Sequence, residues 1–103
     1  MRVIFDPQAK AEFDDVRRYY NRQKTGRGDD FTEMVRQCLR RVLAQPESCP
    51  VEFEDIRRAA LKRFPYKLLY SIEPDHLYVI AVAHQHRKPG YWQDRIENSS
   101  PKI

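Results

Sequence analysis

Tyr66-Lys67-Leu68-Leu69-Tyr70-Ser71-Ile72, then Glu73-Pro74-Asp75-His76, then Leu77-Tyr78-Val79-Ile80-Ala81-Val82-Ala83-His84 is the stretch that sets the fold. The first seven residues alternate, with Tyr66, Leu68, Tyr70 and Ile72 on one side of a strand. Pro74-Asp75 is a turn. Leu77 to His84 is apolar on both sides, as expected of a strand with neighbours on each edge and cover on each face. Two such strands about a tight turn predict an antiparallel hairpin. Counting outward from Pro74-Asp75 sets Lys67 opposite a residue near Ala81 or Val82. Upstream, Arg57 to Phe64 reads as a third strand. Downstream, Pro89 fits the first turn of a short last helix through Tyr91, Trp92 and Ile96.

The N-terminal half has a different period. Arg2-Val3-Ile4-Phe5 is a short strand. Asp6-Pro7 then reads as a helix start, with Asp6 as N-cap and Pro7 at the first helical position. Ala9, Phe13, Val16 and Tyr20 follow at helical spacing. Gln23 to Gly28 reads as a loop broken by Gly26 and Gly28. A second helix is expected from near Asp30, where Glu33 completes an Asp-x-x-Glu capping pattern. Phe31, Met34, Val35, Cys38 and Val42 make its apolar stripe, and Pro46 ends it. The order is β-α-α-β-β-β with a short C-terminal helix. This predicts an α+β fold in which an N-terminal strand and a helical hairpin pack on one face of an antiparallel sheet. Phe13, Val16, Val35, Cys38 and Val42 are expected to meet Leu68, Tyr70, Val79 and Ala81.

At 103 residues the chain has the length of a single domain, 1–103. With 41% hydrophobic residues it can fill one core without disulfides or metal. Cys38 and Cys49 form neither a disulfide framework nor a metal-ligand spacing, and a cytoplasmic setting is expected. The longest apolar run is too short for a membrane helix, so no membrane partner is expected. Arg2 and Asp6 interrupt the place where a signal peptide would need apolar residues. Neither a Gly-rich nucleotide fingerprint nor a Gly-x-Ser-x-Gly elbow is present. His84-x-His86 lacks an evident third ligand, so neither metal nor other cofactor is expected.

Charge is unevenly placed. The net charge is +4, yet Ile56 to Gln93 alone holds Arg57, Arg58, Lys62, Arg63, Lys67, Arg87 and Lys88 against Glu73 and Asp75. Basic side chains on a sheet edge also discourage aggregation. Here aromatics and histidines share the segment, which points to a surface that meets phosphates or an acidic protein. Arg57, Arg58, Lys62, Arg63 and Lys88 are the expected nucleic-acid contacts. His84, His86, Arg87 and Tyr91 follow the central strand and are expected to cluster with Lys67 at one end of the sheet. The set suits phosphodiester chemistry on RNA. A base takes the 2′-hydroxyl proton, arginine and lysine stabilise charge at phosphorus, and an acid protonates the leaving oxygen.

The chain as a whole resembles toxins of the RelE/ParE superfamily of type II toxin–antitoxin modules, the plasmid-stabilisation type. The resemblance rests on Phe64-Pro65-Tyr66-Lys67-Leu68-Leu69-Tyr70, the Pro74-Asp75 turn, and Val79 to Pro89. The Ala9, Phe13, Tyr20 helix and the Leu43 to Pro46 helix end also fit. It implies a toxin held by a cognate antitoxin whose tail contacts Arg57, Arg58 or Arg63. RelE-like relatives are metal-independent endoribonucleases that cut mRNA on the ribosome and so inhibit translation. ParE-like relatives inhibit DNA gyrase without catalysis of their own, and an inactive nucleic-acid-binding relative is a further alternative. The RelE-like reading is placed first. It implies catalytic roles for Lys67, Arg87 and Tyr91, with His84 and His86 as further candidates. Gln85 stands where a further catalytic arginine is expected. The Arg87-Lys88-Pro89, Trp92, Arg95 pattern is closer to the ParE-like branch.

Overall fold

A computed structural model describes residues 1–99. Its elements are β1 (Arg2–Phe5), α1 (Pro7–Gln23), α2 (Arg27–Ala44), a 3-10 turn at Pro46–Ser48, β2 (Val51–Phe53), β3 (Ile56–Ala60), β4 (Tyr66–Ile72), β5 (His76–His84) and α3 (Gln93–Ser99). The α+β class and the element order agree with the sequence. No helix among the described residues is long and apolar enough to cross a membrane.

The five strands form one sheet in the order β1-β5-β4-β3-β2. β2 to β5 pair antiparallel in succession, but β1 pairs parallel with β5, Arg2 beside His76 through Phe5 beside Val79. The sheet is therefore mixed and not purely antiparallel. The reason is β2, a three-residue strand too short to show a period. It adds one reversal of direction before the chain returns beside β1.

Both helices of the hairpin lie on one face. Phe31, Val35, Cys38 and Val42 pack there with Leu68, Tyr70, Leu77 and Val82, and Phe13, Val16 and Tyr20 close the edge. Burial of this apolar surface is the main favourable term in folding. Ile56, Leu69, Ile80, Ala81, Ala83 and Trp92 form a second cluster on the other face, with Tyr91 and Ile96 against it. The register slips between Leu69 and Tyr70, which face Ala81 and Val79 and leave Ile80 as an extra residue. This β-bulge switches the alternation. Ala81 thus leaves the helix face to which simple counting assigns it, and Val82 takes its place. Lys67 meets Ala83, one or two residues beyond the counted register.

Asp6 caps α1 as its sequence implies, its Oδ1 accepting from the Gln8 amide at 2.8 Å. α2 starts at Arg27, three residues before the expected Asp30, from Gly26 in the left-handed region at φ 88°. Glu33 serves as an ion-pair partner for Arg40 at 3.2 Å instead of closing a capping box. Gly28 is not a loop residue. Its amide donates to Asn21 Oδ1 at 2.8 Å, and a Cβ there would lie 2.4 Å from the Arg17 carbonyl oxygen. β3 ends at Ala60, before the left-handed Arg63 at φ 68°. α3 begins at Gln93 and not at Pro89, because Gly90 turns the chain at φ 77°.

Candidate functional site

β5 outruns its neighbour on one side. β1 ends at Phe5 beside Val79, so the edge from Ile80 onward has no strand partner there. Buried backbone groups need partners, and side chains supply them. Glu12, on α1, accepts the Val82 amide at 3.0 Å through Oε1. Arg95, on α3, donates from Nη1 to the Ile80 carbonyl at 2.9 Å. Arg95 and Glu12 also face each other fork to fork, Nη1 to Oε1 and Nη2 to Oε2, both at 2.9 Å. The Tyr91 hydroxyl donates to Glu12 Oε2 at 2.7 Å. One carboxylate thus accepts four hydrogen bonds and ties α1, β5 and α3 together.

Arg95 is buried. Burial alone would lower its pKa, but the hydrogen bonds and charge of Glu12 outweigh this and raise it. Burial, then the Glu12 hydrogen bond and charge, pushes the Tyr91 phenol well above its ordinary value. The Arg87 guanidinium stacks over the Tyr91 ring, 4.1 Å from its centroid.

His84 and His86 form a second group. His84 is paired with Tyr66 in the sheet and meets its ring edge-on at 5.0 Å, on the face of the helical hairpin. The His86 amide donates to His84 Nδ1 at 3.1 Å, and the two imidazoles lie 5.4 Å apart.

Lys67 forms a third group on the opposite face. Its register neighbours are Ala60 on β3 and Ala83 on β5. Beside the Lys67 side chain lies a hollow of about 280 Å³, lined by Pro50, Arg58, Ala60, Lys67 and Gln85. The Lys67 ammonium donates to Glu52 Oε1 on β2 at 2.7 Å. Of the five residues expected at one end of the sheet, the structure joins His84 with His86 and Arg87 with Tyr91. It sets Lys67 on the other face from His84.

Among the expected nucleic-acid contacts, Arg57 is committed to the fold, donating to the Glu47 and Cys49 carbonyls at 3.0 and 2.7 Å. Arg58 donates to the Val51 carbonyl at 3.3 Å. Lys62, Arg63 and Lys88 are exposed. No group of three or more histidine, cysteine or acidic side chains able to hold a metal occurs among the described residues.

Sequence reasoning named Arg95 only within the ParE-like pattern and gave Glu12 and Glu52 no role. Glu12 had a signal: it stands three residues after Ala9 and four before Val16, so it shares their buried stripe. A carboxylate at such a position calls for a buried cation. Glu52 carried none, since β2 itself was not legible.

No curated protein sequence matches the chain. In structure it is similar to a chain described as "Chromosomal ParDE TA system from P. aeruginosa", with a TM-score of 0.71 and 12% identity over 82% of this chain and 95% of that one. At that identity the likeness is one of fold. The family model described as the ParE toxin of type II toxin-antitoxin system, parDE, matches residues 3–89, and the chain belongs to that family.

Proposed function

We propose that this toxin acts by binding DNA gyrase and has no catalysis of its own, and that a cognate antitoxin holds it inactive. The observation that carries this reading is that two of the groups a nuclease would need are already held by internal carboxylates. The Tyr91 hydroxyl donates to Glu12, and the Lys67 ammonium is paired with Glu52. A general acid must be free to give its proton to the leaving oxygen, and its pKa should lie near the working pH. Tyr91 is shifted away from that range. Gln85, where the resemblance expects an arginine, cannot stabilise charge at phosphorus as a guanidinium does. His84 lies on the face opposite Lys67, so base and cation do not converge on one phosphate. The match to the ParE toxin family supports the same reading.

The test is induced expression in cells with separate readouts of DNA breaks and of mRNA cleavage. DNA breaks with intact mRNA are expected. Cleaved mRNA with intact DNA would return the assignment to a ribosome-dependent endoribonuclease.

A further inference from the structure

Two free thiols from separate parts of the chain meet in one cluster. Cys38, on α2, is fully buried, and its Sγ–H donates to the Ala59 carbonyl on β3 at 3.8 Å. Cys49 lies between the 3-10 turn and β2, outside every helix and strand, and is half-buried. It packs against the apolar cluster that holds Cys38, Ala59 and Tyr70. It also lines an open hollow of about 600 Å³ together with Ala59, Ala60, Arg41 and Arg58. Ala59 thus touches one thiol and borders the hollow of the other.

The two sulfurs act on each other and on one phenol. Burial pushes the Cys38 thiol up, the Arg41 guanidinium opposes this, and the Cys49 sulfur adds to it. Burial, then the hydrogen bond and charge of Cys49, push the Tyr70 phenol well above its ordinary value, and Cys38 adds to the shift. The Tyr70 hydroxyl donates to the Pro46 carbonyl at 2.7 Å, which fastens the turn that carries Cys49 to the sheet. The thiols differ in access. A small reagent reaches Cys49 from the hollow, whereas Cys38 is closed to it. An accessible thiol beside a buried one is the arrangement of an attacking and a resolving cysteine.

We propose that Cys38 and Cys49 form a redox-modification site that closes reversibly to a disulfide when the chain meets a hydroperoxide. The Cys49 thiolate attacks one peroxide oxygen. The S–O bond forms, the O–O bond breaks, and the second oxygen leaves with a proton as water or an alcohol. The Cys38 sulfur then gives up its proton and attacks the Cys49 sulfenic acid. The S–S bond forms, the S–O bond breaks, and the hydroxide takes that proton and leaves as water. The two thiols lose two electrons and the hydroperoxide gains them. A dithiol reductant returns two electrons and two protons and reopens the pair. In a reducing compartment such a bond is transient. While closed, it ties α2 to the connection leading into β2, whose register with β3 is irregular. The site stands independently of the gyrase reading.

The test treats the reduced, purified chain with equimolar hydrogen peroxide, blocks the remaining thiols and digests with trypsin. Cys38 then lies in peptide 37–40 and Cys49 in peptide 42–57. The two are expected to be joined within a monomer, about 2 Da below the sum of the separate peptides because two hydrogens have left, and to separate again in dithiothreitol. Closing a loop of this length should raise the melting temperature of the oxidised form by about 5 °C or more. Cys38→Ala should stop at the sulfenic acid, trapped as a dimedone adduct on Cys49, and Cys49→Ser should leave Cys38 unmodified. The proposal is overturned if the peptides stay separate with both thiols blocked, or if Cys49 is found only in disulfides between chains. It is equally overturned if Cys49→Ser is still oxidised at Cys38, or if the joined form melts no higher than the reduced one, since the bond then forms only by distorting the fold.

Discussion

Glu12 is the residue on which the C-terminal part of the molecule depends. Its carboxylate accepts from Val82, Tyr91 and twice from Arg95. Glu12→Gln keeps the shape and leaves the Arg95 guanidinium buried without its counter-charge. Breaking a buried pair in this way costs about 3 kcal/mol, to be read from the shift in urea-unfolding midpoint. A loss below about 1 kcal/mol is the range of exposed pairs and would contradict the account. Tyr78 gives a test in pH. Burial and its hydrogen bond to Asp6 push its phenol from 10.0 up to about 12. The folded state thus holds the proton more tightly than the unfolded one. This stabilisation is complete below pH 10 and is lost as the pH rises toward 12. Melting temperature should therefore fall less between about pH 8 and about pH 11 in Tyr78→Phe than in wild type. An equal fall in both would show that Tyr78 does not contribute.

Between elements, Gly28 fixes how closely the two helices approach. Its missing side chain lets α2 pass against the Arg17 carbonyl. Gly28→Ala should destabilise by about 2 kcal/mol, as overpacking does, because the nearest atom is backbone and cannot swing aside. Gly26→Ala has open space around it and strains only the backbone at φ 88°, so about 1 kcal/mol is expected. The same urea titration separates the two, and a larger loss at Gly26 would reverse the argument. The sequence led to Gly28 as a loop breaker because a glycine shows where a side chain is excluded, not whether turn or neighbour excludes it. α1, β4 and β5 were legible to within a residue, since each is long enough to display its period and α1 carries its own cap. β2 was not, and its omission turned a mixed sheet into an antiparallel one. The bulge at Ile80 was equally hidden: a run apolar on both faces has no alternation for a slip to interrupt. That slip is why the candidate site divides between faces instead of gathering at one end.

At the scale of the whole molecule, the positive excess of residues 56–93 is partly spent inside the fold. Arg57 fastens the 3-10 turn and Lys67 is neutralised by Glu52, while Lys62, Arg63 and Lys88 remain at the surface. The sequence located this charge but could not divide structural from available cations, because the partners Glu47, Cys49 and Glu52 lie just before that segment, on a 3-10 turn, a connection and a strand too short to show a period. The residues read as catalytic are held in three separate arrangements, two of them closed by carboxylates. This division is what supports the proposal that the toxin acts by occupying its target. The direct measurement adds the purified chain, in wild-type form and as His86→Ala/Tyr91→Phe, to DNA gyrase with relaxed plasmid and, separately, to translating ribosomes with a defined mRNA. The account predicts that both forms inhibit supercoiling to a similar degree and leave the mRNA whole. Ribosome-dependent cleavage by wild type that the double variant loses, with supercoiling untouched, would contradict it.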